Sequence, residues 1–179
     1  MGEAKQKREK LKIQYLNELD EWSFDPSDWE RQMVKEILDL PTVKVTRYPK
    51  DVLEWMRMPP RQCHANARFM EENASPSDRI KQVAGWWILE GNLVLHSVIN
   101  QAGQYACVTP LLYDDNQTFE FIPDPEIKWR NDGDYRTAFR GGQEIGKGLR
   151  INPEASLKRI SHIRAKLDAG LDIYEAMRL

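Results

Sequence analysis

Apolar residues recur at helical spacing near both ends of the chain and at strand spacing between them. Leu11, Tyr15 and Leu19 lie one turn apart behind a charged start in which Lys5, Lys7, Arg8, Lys10 and Lys12 face only Glu3 and Glu9. This predicts a helix whose first turns are solvated and frayed. Ser27-Asp28-Trp29-Glu30 has the form of a capping box, and Trp29, Met33, Val34, Ile37 and Leu38 continue it as one apolar face until Pro41 stops the helix. Val43 and Val45 alternate with polar neighbours, a short strand, and Pro49 then opens a brief helix through Val52, Leu53 and Met56 that ends at Pro59-Pro60. The run Cys63 to Glu72 is rich in helix formers, and helical spacing puts Cys63, Ala67 and Met70 on one face.

The period then changes. Trp86–Leu89, Leu93–Ile99, Tyr105–Thr109 and Phe119–Ile122 are β-rich runs parted by Gly91-Asn92, Gln101-Ala102-Gly103 and Asp114-Asp115-Asn116. The simplest arrangement is an antiparallel meander of four strands. Helical order returns at Asn152, an N-cap with Pro153 behind it, and carries Leu157, Ile160, Ile163 and Leu167 on one face as far as Gly170; a last short helix holds Leu171, Tyr174 and Met177. The predicted class is α+β: a small antiparallel sheet packed on a Cys-bearing helix, with N-terminal helices and a C-terminal helical hairpin. The expected divisions are a charged tail and helix over 1–25, a core domain over 26–130, a Gly-rich connector over 131–151 and the hairpin over 152–179.

Composition narrows the functional classes. With 179 residues the chain suits one core with appendages, and 26 Lys+Arg against 28 Asp+Glu leave a net charge of -2, so no global field draws nucleic acid. No run is long enough to span a membrane, the N-terminus lacks a signal-like apolar stretch, and Gln6 stands where myristoylation needs Ser or Thr. A cytoplasmic protein is expected, with its two cysteines, Cys63 and Cys107, kept as thiols.

Those thiols bring in chemistry. Cys63 opens a helix, where the dipole favours thiolate, and His96 sits on a later strand where it could serve as base. If Gln101 and Ala102 form a two-residue loop, His96 falls opposite Cys107, with Thr109 on the same face. Over roughly residues 60 to 125 this order of a helix-start cysteine, a strand histidine and a polar position on the next strand resembles the papain-like superfamily of thiol hydrolases and acyltransferases. The resemblance implies a covalent acyl-enzyme on Cys63, His96 as base, Cys107 at the third position and Gln62 as a candidate oxyanion donor. It implies a protein or peptide substrate, an amide, isopeptide, ester or thioester bond as target, and no cofactor. Cys107 stands where an acidic orienter would be read, so Asp124, Glu120 or Thr109 is a substitute to consider.

Other readings remain open. Cys63, Ala67 and Met70 also describe an ordinary core stripe, and His96 a half-buried strand histidine. Cys63, His64, His96 and Cys107 could be zinc ligands, although their spacing lacks the close pairs usual in zinc sites. Gly141 to Lys147 matches most of a nucleotide-binding Gly-rich loop but has Gly148 where Ser or Thr should hold magnesium. A non-catalytic interaction module using Trp86, Trp87, Trp129 or the C-terminal helices is the remaining alternative.

Overall fold

A computed structural model describes residues 3–111, 117–133 and 135–178 of the chain. The turn expected at Asp114-Asp115-Asn116 lies outside the described residues. The chain forms two compact units, one made of residues up to Arg31 together with those from Arg150 onward, the other Gln32–Leu149.

In the first unit, helix α1 spans Glu3–Glu21, and helix α2, Asp28–Leu38, begins here. The Ser27 hydroxyl oxygen accepts the Glu30 N–H at 3.1 Å, the first half of the expected capping box. The larger second unit begins within α2 and continues with β1 (Val43–Arg47), α3 (Lys50–Trp55) and α4 (Cys63–Asn73). Strands β2 (Ile80–Leu89), β3 (Asn92–Gln101), β4 (Gln104–Cys107) and β5 (Thr118–Pro123) follow.

The class is α+β, but the expected simple meander is replaced by a closed barrel. Strand order is β2-β5-β1-β4-β3, and β2 pairs with β3 to close the ring of five. Strand β1 slots between β4 and β5, parallel to β4 and antiparallel to β5. The seam between β2 and β5 depends on Gly85: a Cβ there would sit 2.2 Å from the Ile122 carbonyl oxygen and 2.6 Å from the Phe121 ring. Inside the ring pack Val45, Val98, Cys107 and Phe121 with Val43, Val83, Tyr105 and Phe119. Helix α4 packs on β2 and β3 from outside, where Leu53, Met58, Ala67, Ile99 and Val108 form a second core with Met70.

Where a Gly-rich connector is expected, the chain forms a second sheet of β6 (Lys128–Asp132), β7 (Tyr135–Arg140) and β8 (Gln143–Ile145). Gly141 and Gly142, at φ +57° and +80°, are the two-residue turn of the β7–β8 hairpin, so this Gly-rich run is a hairpin turn rather than a phosphate loop between strand and helix. Strand β9 (Gly148–Arg150) joins the barrel beside β3, with the Leu95 N–H donating to the Lys147 carbonyl at 2.8 Å.

The chain ends in the first unit with α5 (Pro153–Asp168) and α6 (Ile173–Met177), the expected helix pair. The Asn152 side chain accepts from the Ala155 N–H at 3.0 Å, and Asp172 and Glu175 make a complete capping box for α6. Leu19 of α1 packs with Ile160, Ile163, Leu167 and Ala176, so these helices share one apolar core.

Candidate active site

The β3–β4 turn sets the site's register. Its two central residues are Ala102 and Gly103, both at positive φ, because Gln101 pairs with Gln104 and the Asn100 side chain accepts the Gly103 N–H. The loop is therefore one residue later than expected, and every partner moves by two. A shift of two keeps the faces unchanged. His96 and Cys107 still share the barrel interior, offset along the strands, with His96 Nε2 3.4 Å from Cys107 Sγ.

His96 is 6% exposed and enclosed by aromatic rings: Trp87 at 5.6 Å, Phe119 at 5.7 Å and Phe121 at 6.5 Å between centroids. Burial disfavours the imidazolium and pushes the His96 pKa down to about 3, helped by His64 and Arg47 nearby. The imidazole is neutral at physiological pH. Cys107 is fully buried, and burial pushes its thiol up while Arg47 opposes that rise.

Cys63 occupies the first position of α4 and is half-buried. On β3 the Leu95 N–H reaches Lys147 beside β9, and Ile99 pairs with Ala106 of β4. Ser97 lies between them, and its backbone N–H points to the Cys63 sulfur, as does the N–H of His64. The thiol thus sits at the split where β4 and β9 border the same edge of β3. Despite the helix terminus, burial dominates and raises the Cys63 pKa to about 11, so the resting group is a neutral thiol.

His64 and Gln82 complete the outer side. His64 Nδ1 is 2.7 Å from Ser97 Oγ, and Gln82 donates to that oxygen at 3.3 Å and to the His64 carbonyl at 3.2 Å. Burial, with Arg136 nearby, lowers the His64 pKa to about 4. Its ring meets Trp129 edge-on at 4.8 Å, and the Arg136 guanidinium lies 4.4 Å over that indole.

The structure brings His96 and Cys107 into contact, while no hydrogen bond joins Cys63 to His96 among the described residues. Gln62 is the exposed N-cap of α4 and makes no side-chain capping bond. The substitutes for an orienter are engaged elsewhere or exposed. Asp124 is buried and accepts from Trp86 Nε1 and Arg140 Nε, each at 2.7 Å. Glu120 is exposed, and the Thr109 hydroxyl takes the Asn66 amide at 3.0 Å. The adjacent tryptophans divide between the two faces of β2: Trp86 is fully buried against Asp124, while Trp87 lines the His96 enclosure. No group of three or more His, Cys, Asp or Glu that could hold a metal ion occurs among the described residues.

Arg47 is the residue that pattern reading passed over. It follows Val43 and Val45 at strand spacing, which is the inward register, and its guanidinium donates to Cys107 Sγ at 3.1 Å and to the Thr109 carbonyl at 2.6 Å. A cation inside the barrel is visible from sequence only once β1 is known to be a wall strand. Compared with family models, curated proteins and solved structures, the chain matches none of them.

Proposed function

We propose that this protein is a thiol-dependent hydrolase or acyltransferase of papain-like type, acting on an amide, isopeptide, ester or thioester carbonyl through Cys63. The observation that supports it is the placement of the partly buried Cys63 thiol at the start of an eleven-residue helix, beside the barrel split bordered by β3, with the backbone N–H groups of Ser97 and His64 on its sulfur. In this mechanism the sulfur attacks the carbonyl carbon as His96 takes the thiol proton. A C–S bond forms, the carbon–heteroatom bond breaks, and the imidazolium returns the proton to the departing group. Water or an amine then attacks the acyl-enzyme by the same route in reverse and restores the thiol.

Both partners rest uncharged in this arrangement. Proton transfer therefore accompanies attack instead of preceding it. Consistent with that, Cys63 alkylation by iodoacetamide in the folded protein should rise about tenfold per pH unit from pH 7 upward with no plateau below pH 9. A plateau near neutrality would mean a preformed thiolate pair.

The deciding experiment uses p-nitrophenyl acetate and intact-protein mass measurement with peptide mapping. One acetyl group on Cys63 is expected, absent from Cys63→Ala and formed about 100-fold more slowly in His96→Asn. Acetylation of Cys63 that is indifferent to His96 removes the base assignment. A Cys63 that reacts only after unfolding removes the enzyme reading.

One observation favours the alternative of a non-catalytic module: the His96 imidazole is closed in by Trp87, Phe119 and Phe121 instead of facing solvent. Failure of the acetylation experiment in a folded sample would select it.

A further inference from the structure

A thiol is a weaker partner for an imidazole than a carboxylate, and the barrel interior supplies what Cys107 lacks. Parallel pairing of β1 with β4 sets Arg47 level with Cys107. Arg47 is 6% exposed, and its guanidinium lies beside both the Trp87 and Phe119 rings, with Cζ 5.7 Å and 5.2 Å from their centroids. From there it donates Nη1 to Cys107 Sγ at 3.1 Å and to the Thr109 carbonyl at 2.6 Å.

A guanidinium has no acceptor atoms, so toward Arg47 the sulfur must accept. The Thr109 carbonyl oxygen, 3.7 Å away, can only accept, and it gives the S–H a place to point. With the S–H directed there, the remaining contact of the sulfur, His96 Nε2 at 3.4 Å, is filled by an N–H donor. Should the adjacent cation draw the proton off the sulfur altogether, the thiolate accepts from Nε2–H even more strongly. The opposite arrangement aims the S–H at a bare Nε2 whose basicity the same guanidinium lowers.

We infer that Arg47 is a positioning residue for His96: acting through Cys107, it holds the imidazole as the tautomer with its proton on Nε2, leaving Nδ1 as the basic nitrogen. Arg47 and Cys107 together then fix the tautomer as a carboxylate would, while the guanidinium, unlike a carboxylate, disfavours the imidazolium. The same network reaches the nucleophile's helix. Asn66 of α4 is buried and donates one amide hydrogen to Thr109 Oγ1 at 3.0 Å and the other to the Pro59 carbonyl at 2.9 Å, so Thr109 is gripped by Arg47 on its carbonyl and by α4 on its hydroxyl.

The catalytic sense of this assignment rests on the thiol reading above, but its first test, the tautomer itself, needs no substrate. Long-range proton–nitrogen correlation spectra of the ¹⁵N-histidine-labelled wild-type protein at pH 7 should show His96 neutral with the proton on Nε2. A proton on Nδ1 overturns the inference whatever the acetylation experiment gives. Arg47→Met, checked for folding by its amide spectrum, should shift His96 toward a mixture of tautomers and slow Cys63 acetylation by on the order of tenfold, with Arg47→Lys recovering part of both. A folded Arg47→Met with the wild-type His96 pattern refutes the role of Arg47. If that variant does not fold, Arg47→Lys decides: a rate and tautomer pattern midway supports the inference, and no change in either refutes it. Tautomer results as expected in a protein that never acetylates at Cys63 would leave the Arg47 assignment standing and remove the enzyme reading alone.

Discussion

Moving the protein from pH 7 to pH 5 should lower its resistance to urea by about 4 kcal/mol, a substantial fraction of what a domain of this size has in reserve. The reason is a pair of imidazoles that the barrel unit keeps uncharged. Burial takes the His96 pKa down to about 3 and that of His64 down to about 4, whereas both sit near 6.5 in an unfolded chain. Between those limits the unfolded state binds protons that the folded state refuses, so stability falls as pH falls. The stabilisation is fully present above the unfolded value and is lost as acid approaches the folded values. Each site contributes about 2 kcal/mol between pH 7 and pH 5.

His64→Gln should roughly halve the slope, since an amide can still meet Ser97 Oγ without titrating. Urea midpoints that do not change between pH 7 and pH 5 would show that the imidazoles are solvated and the site differently built. The effect also separates two causes of acid inactivation. An imidazole that stays neutral to about pH 3 does not produce an acid limb by its own titration in the folded protein. Activity lost near pH 5 should instead track unfolding measured on the same sample.

The sequence announces its helices better than its sheet. Asn152-Pro153 and Ser27 cap helices because capping is a local matter, settled within four residues. Closure of the barrel is not local. Strand β1 lies between β4 and β5, its partners Ala106 and Cys107 about 60 residues away, and a parallel pair has no turn to signal it. The second sheet was hidden for another reason. Its strands carry Arg130, Arg136 and Arg140, which look like solvated loop positions until Arg130 is found on Phe139, Arg136 on Trp129 and Arg140 on Asp124.

The candidate site was half legible for the same reasons. Strand alternation foretold that His96 and Cys107 share a face, and sliding the turn by one residue did not disturb it. Alternation alone does not say that this face is the inside of a barrel. There the imidazole is desolvated, and the thiol's neighbour is an arginine from a strand long past in the chain. The dipole argument for a thiolate at Cys63 gave way to burial against the wall of β3.

Arg150→Met should destabilise the protein by about 3–5 kcal/mol, because it strands a buried carboxylate. Arg150 and Glu30 are essentially inaccessible to water, and Arg150 supplies three hydrogen bonds to that one carboxylate: its N–H and Nε to Oε1 at 2.9 and 3.0 Å, and Nη2 to Oε2 at 2.8 Å. Its Nη1 holds the chain between α1 and α2 by donating to the Trp22 and Phe24 carbonyls at 3.1 and 2.7 Å, with the guanidinium 3.8 Å over the Phe24 ring. Glu30 is thereby diverted from completing the capping box, and the sequence motif that predicted α2 serves a different partner. Arg150→Lys should recover only part of the loss, since one ammonium cannot reproduce a fork on both carboxylate oxygens and two carbonyls. The informative sample is the double variant Glu30→Leu with Arg150→Met. If the cost of the single variant is an unpaired charge, removing that charge should return most of the urea stability. If the double variant stays as weak as the single one, the Trp22 and Phe24 carbonyl bonds matter more than the ion pair. A loss below about 1 kcal/mol in Arg150→Met would mean that water reaches Glu30 and the pair is not buried in solution.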